Sequence, residues 1–320
     1  MCRVSVGLLV CGLVWSSVSE ARELKVGLGY LPNIQFAPFY VADAQGFYKK
    51  EGLEVQFQHG FTSQLMPLLL SGKLDYLVGD AEDVLLARSA GQPVKYVFAM
   101  YQKVPVALFS LASRNIVSGS DLKGKTVGFA GAYGSGYYAL RAILKKYKLT
   151  ERDVNLQAIG FTQLDAVQSN RVDAAVGFIN NEPLVLRRSG VALNVIEASP
   201  YYPMVGNGII TMDRSLREPA GVKAFLGATQ KALAWTIANP KKAFETSKKY
   251  IDRLDDGQLD VLNTSISLMQ SPYTTQHGLG YSDPSAWSKA LSFLKSEGLI
   301  KTSLSSSVFF SNAYLTPHIR

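Results

Sequence analysis

The sequence predicts an α/β protein made of two similarly built lobes. Three observations lead there. Strand patterns alternate with helix patterns along most of the chain, one helix–turn–strand motif occurs twice, and the segments after the strands are rich in Gly, aromatic rings and amides. Such alternation argues for mostly parallel sheets covered by helices.

Taken in order, Leu24–Leu28 reads as a strand, Ala37–Glu51 as a helix followed by Gly52, and Leu53–Gln58 as a second strand. Gln64–Ser71 is helical, Tyr76–Val78 is a short strand, and Val84–Ala90 is a helix ended by Gly91. Val94–Ala99 and Val106–Ser110 follow as strands, the latter opening after Pro105, where a missing N–H is tolerated. Thr126–Phe129, Leu156–Ile159 and Ala174–Gly177 are strands, with helices at Tyr138–Lys146 and Gln163–Gln168. Pro219–Asn239 and Pro240–Tyr250 read as longer helices, each with Pro in its first turn. Trp235 and Trp287 fall on helices and read as core residues.

The repeated motif sets Leu69–Gly79 beside Val167–Gly177. Both run from a helix end through a polar turn with a basic residue to an Asp that opens a short apolar strand. Gly72 and Asn170 stand where a helix C-cap takes the left-handed conformation. The strand openings Lys25-Val26-Gly27 and Lys125-Thr126-Val127-Gly128 are also alike.

Composition excludes several classes. A chain of 320 residues with 47% hydrophobic and 18% charged residues can bury a sizeable core and is not disordered. The net charge of +8 is spread over short pairs such as Lys49-Lys50, Lys145-Lys146 and Lys241-Lys242, with no nucleic-acid-binding signature. A basic surface of this kind suits residence near an anionic membrane. Residues 1–21 read as a secretory signal: Arg3, then the apolar run Val4–Trp15, then small residues before a cut after Ala21. Leu8-Leu9-Val10-Cys11 also fits a lipidation signal, with Val10 bulkier than that signal ordinarily has. Either route places the protein outside the cytoplasmic membrane. Cys2 and Cys11 are the only cysteines, so a chain cut after Ala21 has no thiol.

Open parallel sheets bind ligands beyond the C-terminal ends of their strands. There the sequence offers Tyr30, Asn33, Gln35 and Phe36, then Thr62 and Ser63, then Asp80 and Glu82. In the second half it offers Tyr133, Ser135, Tyr137, Asn180 and Glu182, and near a return crossing Asn207. Rings and amides in such a cleft suit a flat polar heterocycle. Other roles stay open: Asn33 can cap a turn, and Asp80 and Glu82 can simply stabilise a helix N-terminus. The Gly131–Gly136 loop lacks the spacing of a dinucleotide fingerprint. His59, His277 and His318 have no metal-ligand spacing, and no catalytic triad pattern occurs. His59 reads as a solvated side chain.

Tyr30-Leu31-Pro32-Asn33 through Phe39-Tyr40-Val41-Ala42, continuing into Gly46-Phe47-Tyr48 and Glu51-Gly52-Leu53-Glu54-Val55, resembles the type II periplasmic substrate-binding proteins of ABC importers. Within them it is similar to the group that binds thiamine pyrimidines, nitrate, sulfonates and taurine. Ser71–Asp75, Leu122–Gly128, Asn181-Glu182-Pro183 and Phe293–Ile300 also fit, so the likeness covers nearly the whole mature chain. The resemblance implies a monomeric two-lobe clamp with ligand between the lobes. Residues 22–112 with 207–320 would form lobe 1 and 113–206 lobe 2, with crossovers near Leu111–Ser113 and Met204–Asn207. It implies a membrane permease and its ATPase as partners, no cofactor and no nucleic acid. Glu182 resembles the acid that holds the pyrimidine in related binders.

An enzymatic branch, the thiamine-pyrimidine synthases, carries an essential His in a Pro-Asn-Thr-Asn-His loop and a cysteine cluster. Here the loop reads Pro32-Asn33-Ile34-Gln35-Phe36, and Phe36 neither accepts a proton nor binds a metal. The chain is therefore expected to bind and not to catalyse. The Gln35–Pro38 continuation looks more like the riboflavin-binding branch. Riboflavin or a related flavin is the expected ligand, with a thiamine-type pyrimidine or a sulfonate as the alternatives.

Overall fold

Two five-stranded sheets carry the fold in a computed structural model that describes residues 21–319. Cys11 and the expected export signal up to Glu20 lie outside the described residues. In the first sheet β1 (Arg22–Leu28) lies between β2 (Leu53–His59) and β3 (Tyr76–Gly79), all parallel. An antiparallel strand, β10 (Gly208–Met212), separates β3 from β4 (Val94–Ala99). The second sheet repeats this plan. β6 (Thr126–Phe129) lies between β7 (Asn155–Ala158) and β8 (Ala174–Phe178), and antiparallel β5 (Val106–Leu111) separates β8 from β9 (Leu193–Glu197).

The antiparallel strand of each sheet is thus delivered from the other. β4 leads across into β5, and β9 leads back into β10. This corrects the expected first boundary after residue 112: Val106–Leu111 pairs with β8 and β9, so the chain crosses over Met100–Pro105. Two apolar runs close together in sequence give no local sign that they belong to different sheets.

The helices are α1 (Ala37–Ala44), α2 (Phe47–Lys50), α3 (Thr62–Leu70), α4 (Ala81–Ser89), α5 (Gly134–Lys146) and α6 (Gln163–Gln168). α7 (Glu182–Arg188), α8 (Pro219–Ala238), α9 (Pro240–Ser247), α10 (Leu259–Leu268), α11 (Pro272–His277) and α12 (Pro284–Ser296) complete the set among the described residues. The single helix expected over Ala37–Glu51 is two, because Gly46 takes φ 69°, where an α-helix cannot continue. α3, α4 and α5 each begin earlier than the apolar periodicity indicates. Their first turns carry polar or small residues, several of which line the cleft (Thr62 and Ser63, Asp83, Gly134–Gly136), so they show no apolar stripe.

The repeated motif has one structure in both lobes. Gly72 and Asn170 are left-handed at φ 80° and 57°. Lys73 N–H bonds Leu68 O at 2.8 Å, and Arg171 N–H bonds Ala166 O at 2.9 Å, closing the same helix end. Asp75 then accepts from Lys25 N–H, and Asp173 from Thr126 N–H, both at 2.8 Å. Asp75 thus staples the start of β3 to β1, and Asp173 the start of β8 to β6. Trp287 is fully buried, edge-on to Tyr96 at 5.0 Å, and its indole N–H donates to Ser282 Oγ at 3.0 Å. Trp235 is only partly buried.

β10 sits in the middle of its sheet with little room to spare. A Cβ added at Gly208 would overlap the Phe98 carbonyl and the Tyr96 hydroxyl, which itself donates to Gly206 O at 3.0 Å. Gly208→Ala is expected to lower unfolding free energy by ~2 kcal/mol. Urea titration checks it, and an unchanged midpoint would mean that the Tyr96 side chain yields freely.

Candidate ligand-binding cleft

A cavity of about 490 Å³ lies between the sheets, against the C-terminal ends of β1, β3, β6 and β8. That is where open parallel sheets present loops and helix N-termini. From lobe 1 it is lined by Tyr30, Gln35 and Phe36 after β1, by Thr62 and Ser63 in the first turn of α3, and by Asp80 after β3. From lobe 2 come Tyr133, Ser135 and Tyr137 at the start of α5, and Glu182 at the start of α7. Asn207 joins them from the return crossing.

Three residues expected in the site are placed elsewhere. Asn33 caps the 3-10 turn Ile34–Phe36, its Oδ1 accepting Gln35 N–H at 3.0 Å. Glu82 lies behind the wall, 1% exposed. Asn180 is buried and bridges the lobes, donating to Ser265 Oγ at 2.9 Å and Tyr101 Oη at 3.3 Å. Its neighbour Asn181 lines the cavity instead. A shift of one residue at a strand end is invisible in the sequence. His59, read as solvated, is half-buried and bonded on both nitrogens. Nδ1 lies 3.1 Å from Tyr30 O, which can only accept, so the proton sits on Nδ1 and Nε2 takes the Tyr40 hydroxyl at 3.2 Å. Burial lowers its pKa, so a neutral ring fixes the Tyr30 backbone.

Residues the sequence reading missed complete the wall, among them Phe61, Phe161 and Asp83. The rings of Phe61 and Phe161 meet across the cleft, centroids 4.1 Å apart and 1° from parallel. Tyr30 stands edge-on to both, at 6.0 and 6.1 Å. A signal for this pair exists: Gly60-Phe61-Thr62 after β2 and Gly160-Phe161-Thr162 after β7 are the same triplet at equivalent places in the two lobes. Phe161 and Tyr133 keep 42% and 51% of their surface exposed, leaving large apolar rings at the rim.

The cavity's charge is opposite to that of the chain. Asp80, Asp83 and Glu182 line it, and none of the described lining residues is Lys, Arg or His. Asp80 accepts from Ser135 Oγ at 3.1 Å and from Asn207 Nδ2, which ties both lobes and the return crossing to one carboxylate. Burial raises its pKa, and these donors offset part of that rise. Glu82 has no partner for either oxygen. Burial, then the charges of Asp80 and Asp83, push it well above the carboxylate range. Asp83 is pushed up to about 8 by burial and then by Asp80. Of this trio Asp80 has a donor on each carboxyl oxygen, which favours its charged form, and Glu82 has none, while burial favours the protonated form of Glu82 and Asp83. Burial also raises Glu182, although Phe178 N–H bonds its Oε2 at 2.8 Å. The Tyr30 hydroxyl is pushed up to about 12 by burial and then by Glu182.

Two lobes joined by paired crossings, with a cleft at their facing strand ends, make this an α/β periplasmic-binding-protein fold. The aliphatic sulphonate binding protein SsuA from Escherichia coli has it too, at TM-score 0.71 and 14% identity over 90% of this chain and 91% of that one. Residues 33–243 match the family described as NMT1/THI5 like, and the chain belongs to that family. It is 36% identical to the riboflavin-binding protein RibY of Chloroflexus aurantiacus, over 92% of this chain and 86% of that protein. It is 27% identical to the formylaminopyrimidine-binding protein of Halalkalibacterium halodurans, over 90% of this chain and 89% of that protein. A relative in Legionella pneumophila, 27% identical over 68% of this chain and 70% of its own length, is named a 4-amino-5-hydroxymethyl-2-methylpyrimidine phosphate synthase.

Asp83 holds its proton more tightly folded than unfolded, where its pKa would be 3.8. Its contribution is full below that value and is lost as pH rises through about 8. Asp83→Asn is expected to flatten the fall of the melting temperature over this window, with Glu82, Asp80, Tyr138 and Tyr202 left in place. Scanning calorimetry across pH decides, and equal slopes in both proteins would mean that Asp83 is already ionised.

Proposed function

We propose that this chain is the extracytoplasmic solute-binding component of an ABC importer, and that its cleft holds riboflavin or a related flavin for delivery to the permease. The observation that carries this reading is the wall of the cleft. Aromatic rings from both lobes, Phe61 and Phe161 stacked on each other with Tyr30 edge-on, wall a cavity that also carries amides and carboxyl groups, with no cationic side chain among its described lining residues. A flat ring system stacks on such rings, while ring N–H groups and ribityl hydroxyls can donate to Asp80, Glu182 and the amides. The volume suits a ligand of this size. Likeness to RibY over most of the chain supports the same ligand.

Sulfonates fit less well, because an anion finds no cation to pair with in this wall. A pyrimidine precursor could use Glu182 but would leave much of the aromatic surface unfilled. Catalysis is disfavoured because Phe36, on the wall, has neither donor nor acceptor. We take residues 22–105 with 207–319 as one lobe and 106–206 as the other, from the sheet in which each strand lies. Ligand contacts to both would favour the closed form. Residence outside the cytoplasmic membrane is argued from residues 1–21. Among the described residues no helix is long and apolar enough to cross a membrane.

The test is titration with riboflavin, followed by flavin fluorescence and native mass spectrometry. One riboflavin per chain is expected, with affinity reduced about tenfold in Phe161→Ala and in Phe61→Ala. A protein that ignores riboflavin overturns the flavin reading, and a formylaminopyrimidine titration then decides between pyrimidine and other solutes.

A further inference from the structure

The first turn of α5 points a helix N-terminus into the cleft, with Gly134, Ser135 and Gly136 on the cavity wall. Such a terminus has free N–H groups and the positive end of the helix dipole, and it ordinarily attracts an anion. Tyr133, at its N-cap, supplies no side-chain bond. The anion comes from the opposite lobe. The Ser135 hydroxyl, in the first turn of α5, donates to Asp80 Oδ2 at 3.1 Å. Asp80 itself stands at the N-cap of α4, yet its side chain makes no cap bond there. Its other oxygen takes the Asn207 amide. A carboxylate in position to cap its own helix is thus used on another helix across the cleft.

We infer that Asp80 is a specificity-determining residue: its carboxylate fills the α5 N-terminus in place of a ligand's anion, so the cleft admits neutral ring ligands and rejects sulfonates and phosphate esters. The inference rests on the cleft being the ligand site, and not on which ring fills it. An anion entering this wall would be buried beside the charge of Asp80, with Asp83 and Glu182 adding further carboxyl groups and no lining cation to compensate. The same contact draws lobe 2 toward lobe 1, so selection against anions and closure of the clamp use one group.

The test compares sulfate binding by the intact protein and by Asp80→Ala, as the shift of melting temperature over a chloride control of equal ionic strength. Riboflavin is titrated into each in parallel. Asp80→Ala is expected to bind sulfate at least ~10-fold more tightly than the unaltered protein, as loss of a charge-assisted contact frees its donors. Sulfate should also compete with riboflavin in the variant alone. Equal sulfate binding by the two proteins overturns the inference, as does a folded Asp80→Ala with no response. If Asp80→Ala does not fold, the isosteric Asp80→Asn decides: removing the charge must raise sulfate binding, and no rise overturns the inference. Failure of riboflavin to bind the unaltered protein would sink the flavin reading alone, because the sulfate comparison does not use it.

Discussion

Each sheet depends on a strand that arrives from the other lobe. β5 and β10 are the antiparallel members of their sheets, each wedged between the third and fifth strands, and each follows directly on a crossing. Without that exchange β4 and β9 would have no partner. The two lobes therefore cannot be assembled independently, and both crossings run side by side beneath the cleft. Gly208 marks how tightly the exchange is packed, for its backbone passes the Phe98 carbonyl and the Tyr96 hydroxyl with no space for a side chain. The cleft follows from this arrangement, because the parallel strands of both sheets end facing it.

Those strand ends deliver helix N-termini to one place, and the chemistry of the cleft is largely theirs. The early starts of α3, α4 and α5 put hydroxyls, carboxyls and backbone N–H groups where the helices meet the cavity. Three acidic side chains within four residues, Asp80, Glu82 and Asp83, would repel one another if all were ionised. Their separate environments resolve this: Asp80 has donors from two other parts of the chain, Ser135 and Asn207, and Glu82 has none. A surface of net positive charge thus encloses a cavity with only acidic ionisable side chains among its described lining residues. The basic residues lie away from this wall and have no direct part in it.

The apolar half of the cleft is a product of the internal repeat. Phe61 and Phe161 occupy the same place in their lobes, and bringing the lobes together stacks one ring on the other. Tyr30, whose backbone His59 holds, closes the third side. An aromatic surface assembled from both lobes responds to their separation, so a stacked ligand would sense and favour closure.

The sequence by itself determined the local elements and the loops that carry the site. The bounds of Val94–Ala99, Thr126–Phe129 and Gln163–Gln168 follow from apolar periodicity. The helix ends at Gly72 and Asn170 follow from the few residues that tolerate a left-handed backbone. Loops rich in Gly, rings and amides after the strands marked the cleft, since such residues there have no place in a core. Tertiary structure alone decided which sheet β5 joins, because its apolar run suits either. It also decided that Asn181 and not Asn180 faces the cavity, that Asp80 serves α5 and not α4, and that two phenylalanines a hundred residues apart in sequence stack on each other. Each of these is a pairing between distant segments, fixed by the packing of both partners and written in the local pattern of neither.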